Sequence, residues 1–192
     1  MFNMAAQVQR VPYGVVGVIG PWNYPIFTPV GSIAYALAAG NTVVFKPSEY
    51  TPAFGAYLEE SWNRIAPFKN IFQVLTGTPE TGIALTESKL GKISFTGSTR
   101  TAKKVAEACA ANMTPVVLEC GGKDAVLVDR DADIKKAAEM TLWHAMSNAG
   151  QSCIGAERVY VHRAVAEKFK EEIVKHANEL KPGFGDGAKY GP

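Results

Sequence analysis

Cys153 stands between glycines in Gly150-Gln151-Ser152-Cys153-Ile154-Gly155, after a long helical stretch, so its thiol belongs to a loop rather than to an apolar face. A loop thiol can ionise and attack an electrophilic carbon; packed in a core it would be only a small hydrophobe. Glu119, in Leu118-Glu119-Cys120-Gly121-Gly122-Lys123, ends an apolar run just before a Gly-Gly turn. A carboxylate there is either solvated at a loop or partly buried in a cavity, the second state being suited to a general base. Asn23 lies in Gly20-Pro21-Trp22-Asn23-Tyr24-Pro25, past the first apolar run, as a turn residue or as an amide facing a ligand at a strand tip. Lys46-Pro47-Ser48-Glu49 ends the next run in the same manner. Its lysine and glutamate are either solvated charges or a pair able to hold ribose hydroxyls.

Phe95-Thr96-Gly97-Ser98-Thr99 is a strand, a turn of small residues and a helix start. Backbone N–H groups and the helix dipole favour a phosphate at such a joint, unless Ser98 or Thr99 is an ordinary N-cap. The joint is not the G-x-G-x-x-G fingerprint of a standard dinucleotide site. Cys109, in a helical stretch, and Cys120, beside a strand end, read as packing residues. His144, His162 and His176 are too scattered to form a metal set or to serve as a base for Cys153, and no metal site is expected.

The elements that must position these groups follow from periodicity. Short apolar, β-branched runs occur at 15–19, 42–45, 71–75, 92–95, 115–118, 125–128 and 158–161, most of them apolar on both faces as in a covered parallel sheet. Helical stretches at 29–39, 52–65, 79–87, 98–111, 131–148 and 164–180 separate them, punctuated by proline near starts and glycine after ends. This alternation predicts an α/β fold with a doubly wound, Rossmann-like parallel sheet. In the last helix Val165, Phe169, Ile173, Ala177 and Leu180 make a docking face, and Glu171 with Lys175 is expected as an exposed i,i+4 pair.

Composition narrows the class. With 47% apolar and 20% charged residues in 192, the chain reads as a globular protein rather than a disordered or fibrous one. A formal charge of only +2, without long runs of one sign, argues against nucleic acid or an anionic membrane as partner. Three cysteines at spacings that fit no disulfide framework, an N-terminus unlike a secretory signal and no apolar run near ~20 residues predict a cytoplasmic protein.

The order and spacing of PWNYP, KPSE, FTGST, LECGGK and GQSC resemble the NAD(P)-dependent aldehyde dehydrogenase superfamily from Val11 to Pro192, with LE-x-GGK followed thirty-four residues on by GQ-x-C. The resemblance implies that Cys153 is the nucleophile, Glu119 the general base and Asn23 the oxyanion-stabilising amide. It places the cofactor on Ile19, Gly20, Pro21, Trp22, Asn23, Lys46, Ser48, Glu49, Phe95, Thr96, Gly97, Ser98, Cys120 and Gly121. Lys46 and Glu49 would hold the adenosine ribose, and Gly97-Ser98 the turn under the pyrophosphate. NAD is expected as cofactor, with NADP less favoured because Glu49 would repel a 2′-phosphate. An aldehyde would be oxidised to a carboxylic acid through a thiohemiacetal and a thioester on Cys153.

The family commonly has glycine where this chain has Ala102, so the extra methyl is expected to weaken cofactor binding somewhat. Full members are more than twice as long and homo-oligomeric. The resemblance therefore implies a Rossmann-like cofactor domain over 1–119, a partial catalytic domain over 120–192, and a truncated chain inactive without the missing segments or a partner chain. Two other readings are a non-catalytic nucleotide-binding fragment and a thiol-dependent esterase.

Overall fold

A computed structural model describes residues 5–65, 68, 70–184 and 186–188. It divides between Cys120 and Gly121 into two compact units.

The first unit is built on a parallel sheet of five strands, β1 (Val15–Ile19), β2 (Thr42–Lys46), β3 (Phe72–Val74), β4 (Lys92–Thr96) and β5 (Val116–Glu119), in the order β3-β2-β1-β4-β5. The connecting helices are α1 (Phe27–Ala38), α2 (Pro52–Ile65), α3 (Pro79–Glu87) and α4 (Thr99–Ala111). From β1 the strands advance outward to β3; the chain then returns to lay β4 on the other side of β1. The order reverses at that pair, and a reversal opens a crevice at the carboxyl ends of the strands.

Apolar side chains of the sheet and its helices fix this arrangement. Val16, Val18, Val43, Phe45 and Phe72 join Ile33 of α1 in one cluster. Ile93 and Phe95 join Ala102, Val105 and Cys109 of α4 in another. Phe45 and Ile93 are 0% exposed, and burial of side chains of this size stabilises by about 1.5–3 kcal/mol each.

The second unit is a two-stranded parallel sheet of β6 (Asp124–Val128) and β7 (Ala156–Val161) with α5 (Ile134–Met146) and α6 (Ala166–Asn178). Its core is Val128, Ile134, Ala138 and Phe169.

The α/β sheet is as the sequence predicts, while several local expectations change. Helix α1 begins at Phe27, two residues before the proline taken as its start. Pro29 then occupies the first turn, where a missing N–H removes no intrahelical bond. Helix α5 spans 134–146 rather than 131–148, because the Asp133 side chain accepts from the Lys136 N–H (3.2 Å) and caps it. At its other end Asn148 and Ala149 turn left-handed (φ 54° and 57°). Helix α6 starts at Ala166 after a single 3-10 turn, and Lys175 pairs with Glu172 (3.9 Å) instead of Glu171. The expectation of strands covered on both faces fails for β5, β6 and β7: Val117, Leu118, Leu127 and Tyr160 are all exposed. Among the described residues no helix is long and apolar enough to cross a membrane.

Candidate active site

In the first unit the ends of the strands collect the residues singled out from sequence. Ile19, the last residue of β1, is in register with Lys46 of β2 on one side and Phe95 of β4 on the other. Thr96 is in register with Glu119 of β5. The backbone continues these ladders past the strands: the Gly20 N–H donates to the Lys46 carbonyl (3.0 Å), and the Gly97 N–H to the Glu119 carbonyl (3.0 Å). Four neighbouring strands thus end on one edge, at the switch point that open α/β sheets use for ligands.

Lys46 is buried, and its Nζ donates to the Pro47 carbonyl (3.0 Å) with the Glu49 carboxylate 3.7 Å away. An ammonium carries three donors and a carboxylate several acceptor sites. One hydrogen bond and a long ion pair leave both groups with capacity for a vicinal diol, as a ribose presents. Ser48 is buried and its Oγ accepts from the Tyr50 N–H (3.3 Å), which orders the turn. The buried Oγ1 of Thr51, in the same turn, has no hydrogen-bond partner among the described residues.

Ser98 is the N-cap of α4, its Oγ accepting from the Thr101 N–H (3.2 Å). The cap and the anion reading are compatible, because the first intrahelical bond is Ala102 N–H to the Ser98 carbonyl (2.9 Å) and the N–H groups of Thr99 and Arg100 precede it. Ala102 is buried with Ile93 and Phe95, so its methyl belongs to the contact of α4 with the sheet.

Pro21 and Asn23 are half-buried and Trp22 is exposed in the turn after β1. Glu119 is exposed at the end of β5. Cys120 is half-buried against the second cluster, and Cys109 is buried, its thiol pushed up in pKa by desolvation. In the second unit Gly121 is exposed, and so is Cys153, in a turn that the Gly155 N–H closes on the Ser152 carbonyl (3.1 Å). Its loop is tied further by hydrogen bonds between Asn148 and Gln151, including Gln151 Nε2 to the Asn148 carbonyl (3.1 Å).

Sequence reasoning passed over Gly55. A Cβ there would lie 2.6 Å from Pro47 Cγ, so only glycine lets α2 pack directly under the Lys46 turn. A glycine within a helical stretch, which costs helix stability, was the signal that could have found it.

The description "Aldehyde dehydrogenase family" belongs to the family model that matches residues 2–192. A probable coniferyl aldehyde dehydrogenase of Pseudomonas aeruginosa is 40% identical over 97% of this chain and 39% of its own length. A D-glyceraldehyde dehydrogenase (NADP(+)) of Picrophilus torridus is 36% identical over 95% of this chain and 38% of its own length. The crystal structure of PnpE from Pseudomonas sp. WBC-3 superposes with a TM-score of 0.92 at 38% identity, over 96% of this chain and 39% of that one. The chain thus spans less than two-fifths of the length of each of these proteins. With a family model matching from residue 2 to residue 192, and relatives at these identities along nearly all of it, the chain belongs to the aldehyde dehydrogenase family.

Proposed function

We propose that this chain carries the cofactor-holding and nucleophilic residues of an enzyme that oxidises an aldehyde to a carboxylic acid with a nicotinamide dinucleotide. The observation that supports it most is the common edge of β2, β1, β4 and β5, where Lys46, Ile19, Thr96 and Glu119 end neighbouring strands. Relatives agree in chemistry: one is named for NADP(+), and PnpE has been crystallised in complex with nicotinamide adenine dinucleotide. The donor set fits such a group, with Lys46 and Glu49 toward the adenosine ribose and the α4 N-terminus toward the pyrophosphate. NAD is the favoured form, since Glu49 accepts from ribose hydroxyls and repels a 2′-phosphate.

Cys153, as thiolate, attacks the aldehyde carbon; the C–S bond forms and the carbonyl π pair moves onto oxygen. The Asn23 amide and the Cys153 backbone N–H meet that oxyanion. When bound, the cofactor supplies the oxidant by accepting hydride from the former aldehyde carbon. Glu119 takes a proton from the water that attacks the resulting thioester, and the thiolate leaves as the acid is released.

The 192 residues by themselves lack most of the length of their relatives, and we propose that they do not turn over aldehydes without it. Hydride transfer needs reacting atoms held at about 3–3.5 Å, which ribose contacts at the adenosine end do not impose. NADH absorbance with a simple aldehyde, beside ester hydrolysis without NAD, tests the reading. Ester hydrolysis lost in Cys153→Ala supports it, and hydrolysis unchanged by Cys153→Ala opposes it.

A further inference from the structure

Strand β7 carries one residue more than β6 across their ladder. The register runs Asp124 to Ala156 and then Ala125 to Arg158, so Glu157 is the inserted residue of a bulge. In a regular strand neighbouring side chains point to opposite faces, but a bulge re-aims them. Bulges are rare between parallel strands and over-represented beside functional sites.

Here both re-aimed side chains end on Lys123. Arg158 donates to the Lys123 carbonyl from Nε (2.9 Å) and from Nη2 (2.5 Å). The Glu157 carboxylate pairs with the Lys123 ammonium. Main chain and side chain of one residue are thus gripped by two successive residues, five and four positions after Cys153. The residue before Lys123 abuts the nucleophile turn: a Cβ on Gly122 would lie 3.1 Å from the Cys153 carbonyl oxygen and 2.6 Å from Asp124 Oδ1. A side chain at this position would crowd the Cys153 carbonyl, so a glycine suits the close approach.

We propose that the Glu157 bulge and the Arg158 fork are positioning elements for the Cys153 turn, pressing the backbone at Gly122 against the Cys153 carbonyl and so fixing where the thiol stands. This rests on the reading of Cys153 as nucleophile. Neither residue touches a reacting atom. Arg158 is the stronger element, because a fork of two donors on one carbonyl has geometry that lysine cannot reproduce and is not an ion pair that salt would screen. Glu157 acts through an exposed charge pair and contributes less.

The test is hydrogen–deuterium exchange of the full chain and of its Arg158→Gln, Arg158→Lys and Glu157→Gln variants, read on peptides covering 121–125 and 150–158. Loss of a charge-assisted hydrogen bond corresponds to about tenfold or more in local opening. We expect Arg158→Gln to raise exchange about that much in both peptides, Arg158→Lys to restore part of the protection and Glu157→Gln to change it less. The α5 and α6 peptides should stay as they are, and Cys109 should remain protected from alkylation, which marks an intact fold. In ester hydrolysis Arg158→Gln should lower kcat and leave KM unchanged. Loosening of 121–125 with 150–158 unaffected, in Arg158→Gln or in the milder Arg158→Lys, would overturn the proposal. The exchange readout needs no turnover, so it stands or falls separately from the role of Cys153, which Cys153→Ala decides.

Discussion

The Lys46 ammonium lies 3.7 Å from the Glu49 carboxylate across the turn that ends β2, the lysine side chain 4% exposed and the glutamate 38%. A buried charge with one half-exposed partner is costly to hold unless a further group uses its donors. A ribose between them would do so. We expect the chain to bind NAD more tightly than NADP, and Glu49→Gln to narrow that preference by about tenfold, equivalent to about 1.4 kcal/mol of relieved repulsion. Titration with both dinucleotides checks this, and tighter binding of NADP by the unaltered chain would count against the assignment of Glu49.

Ser98 serves both the helix and the anion site. Ser98→Ala should remove the N-cap and cost about 1 kcal/mol, lowering Tm by about 2–4 °C. Ser98→Asp keeps an N-cap acceptor but sets a carboxylate beside the expected phosphate. It should preserve Tm and lose dinucleotide affinity, so thermal melts beside binding titrations separate the two roles.

The strands and helices were legible where one period dominated. The apolar run at 15–19 and the helix at 52–65 stand in the structure at the bounds their periodicity gave. Helix ends were less legible, because they depend on single residues: the Asp133 cap begins α5 and the extended backbone at Ser147 ends it, and neither alters the apolar period. Burial was misread for β5, β6 and β7, since an apolar strand encodes the need for cover without showing whether this stretch of chain supplies it. The strand tips bearing Lys46, Gly97 and Glu119 were visible from small residues after apolar runs. The grip of Glu157 and Arg158 on Lys123 was not, because a bulge leaves no mark in the hydrophobic pattern and joins segments 34 and 35 residues apart.

The inner strand β4 should show large core effects. Ile93 is fully buried between α4 and the sheet; Ile93→Ala should cost about 2–5 kcal/mol and Ile93→Val about 0.5–1.5 kcal/mol. Denaturant midpoints measure both, and equal costs would mean that the site collapses around the lost atoms.

The three thiols should differ in a fixed order. Cys153 is exposed, Cys120 half-buried and Cys109 buried, so limited iodoacetamide should label them in that sequence. Burial pushes the Cys109 thiol up, so its neutral form favours the fold. That contribution is fully present below the unfolded thiol's range and lost as pH rises through about 8.5 toward the folded value. Thermal melts across that window should show a decline that Cys109→Ala lacks.

Acylation of Cys153 is the step on which the proposed chemistry turns. Incubation with p-nitrophenyl acetate, a rapid acid quench and peptide mapping by mass spectrometry reads it without dependence on cofactor or aldehyde. The expected result is one acetyl group on the peptide containing Cys153, absent from Cys153→Ala and accumulating further in Glu119→Gln, where thioester hydrolysis is slowed. Acetylation that appears only on Cys120 or on lysines, or that persists at full level in Cys153→Ala, would contradict the assignment of Cys153 as the nucleophile.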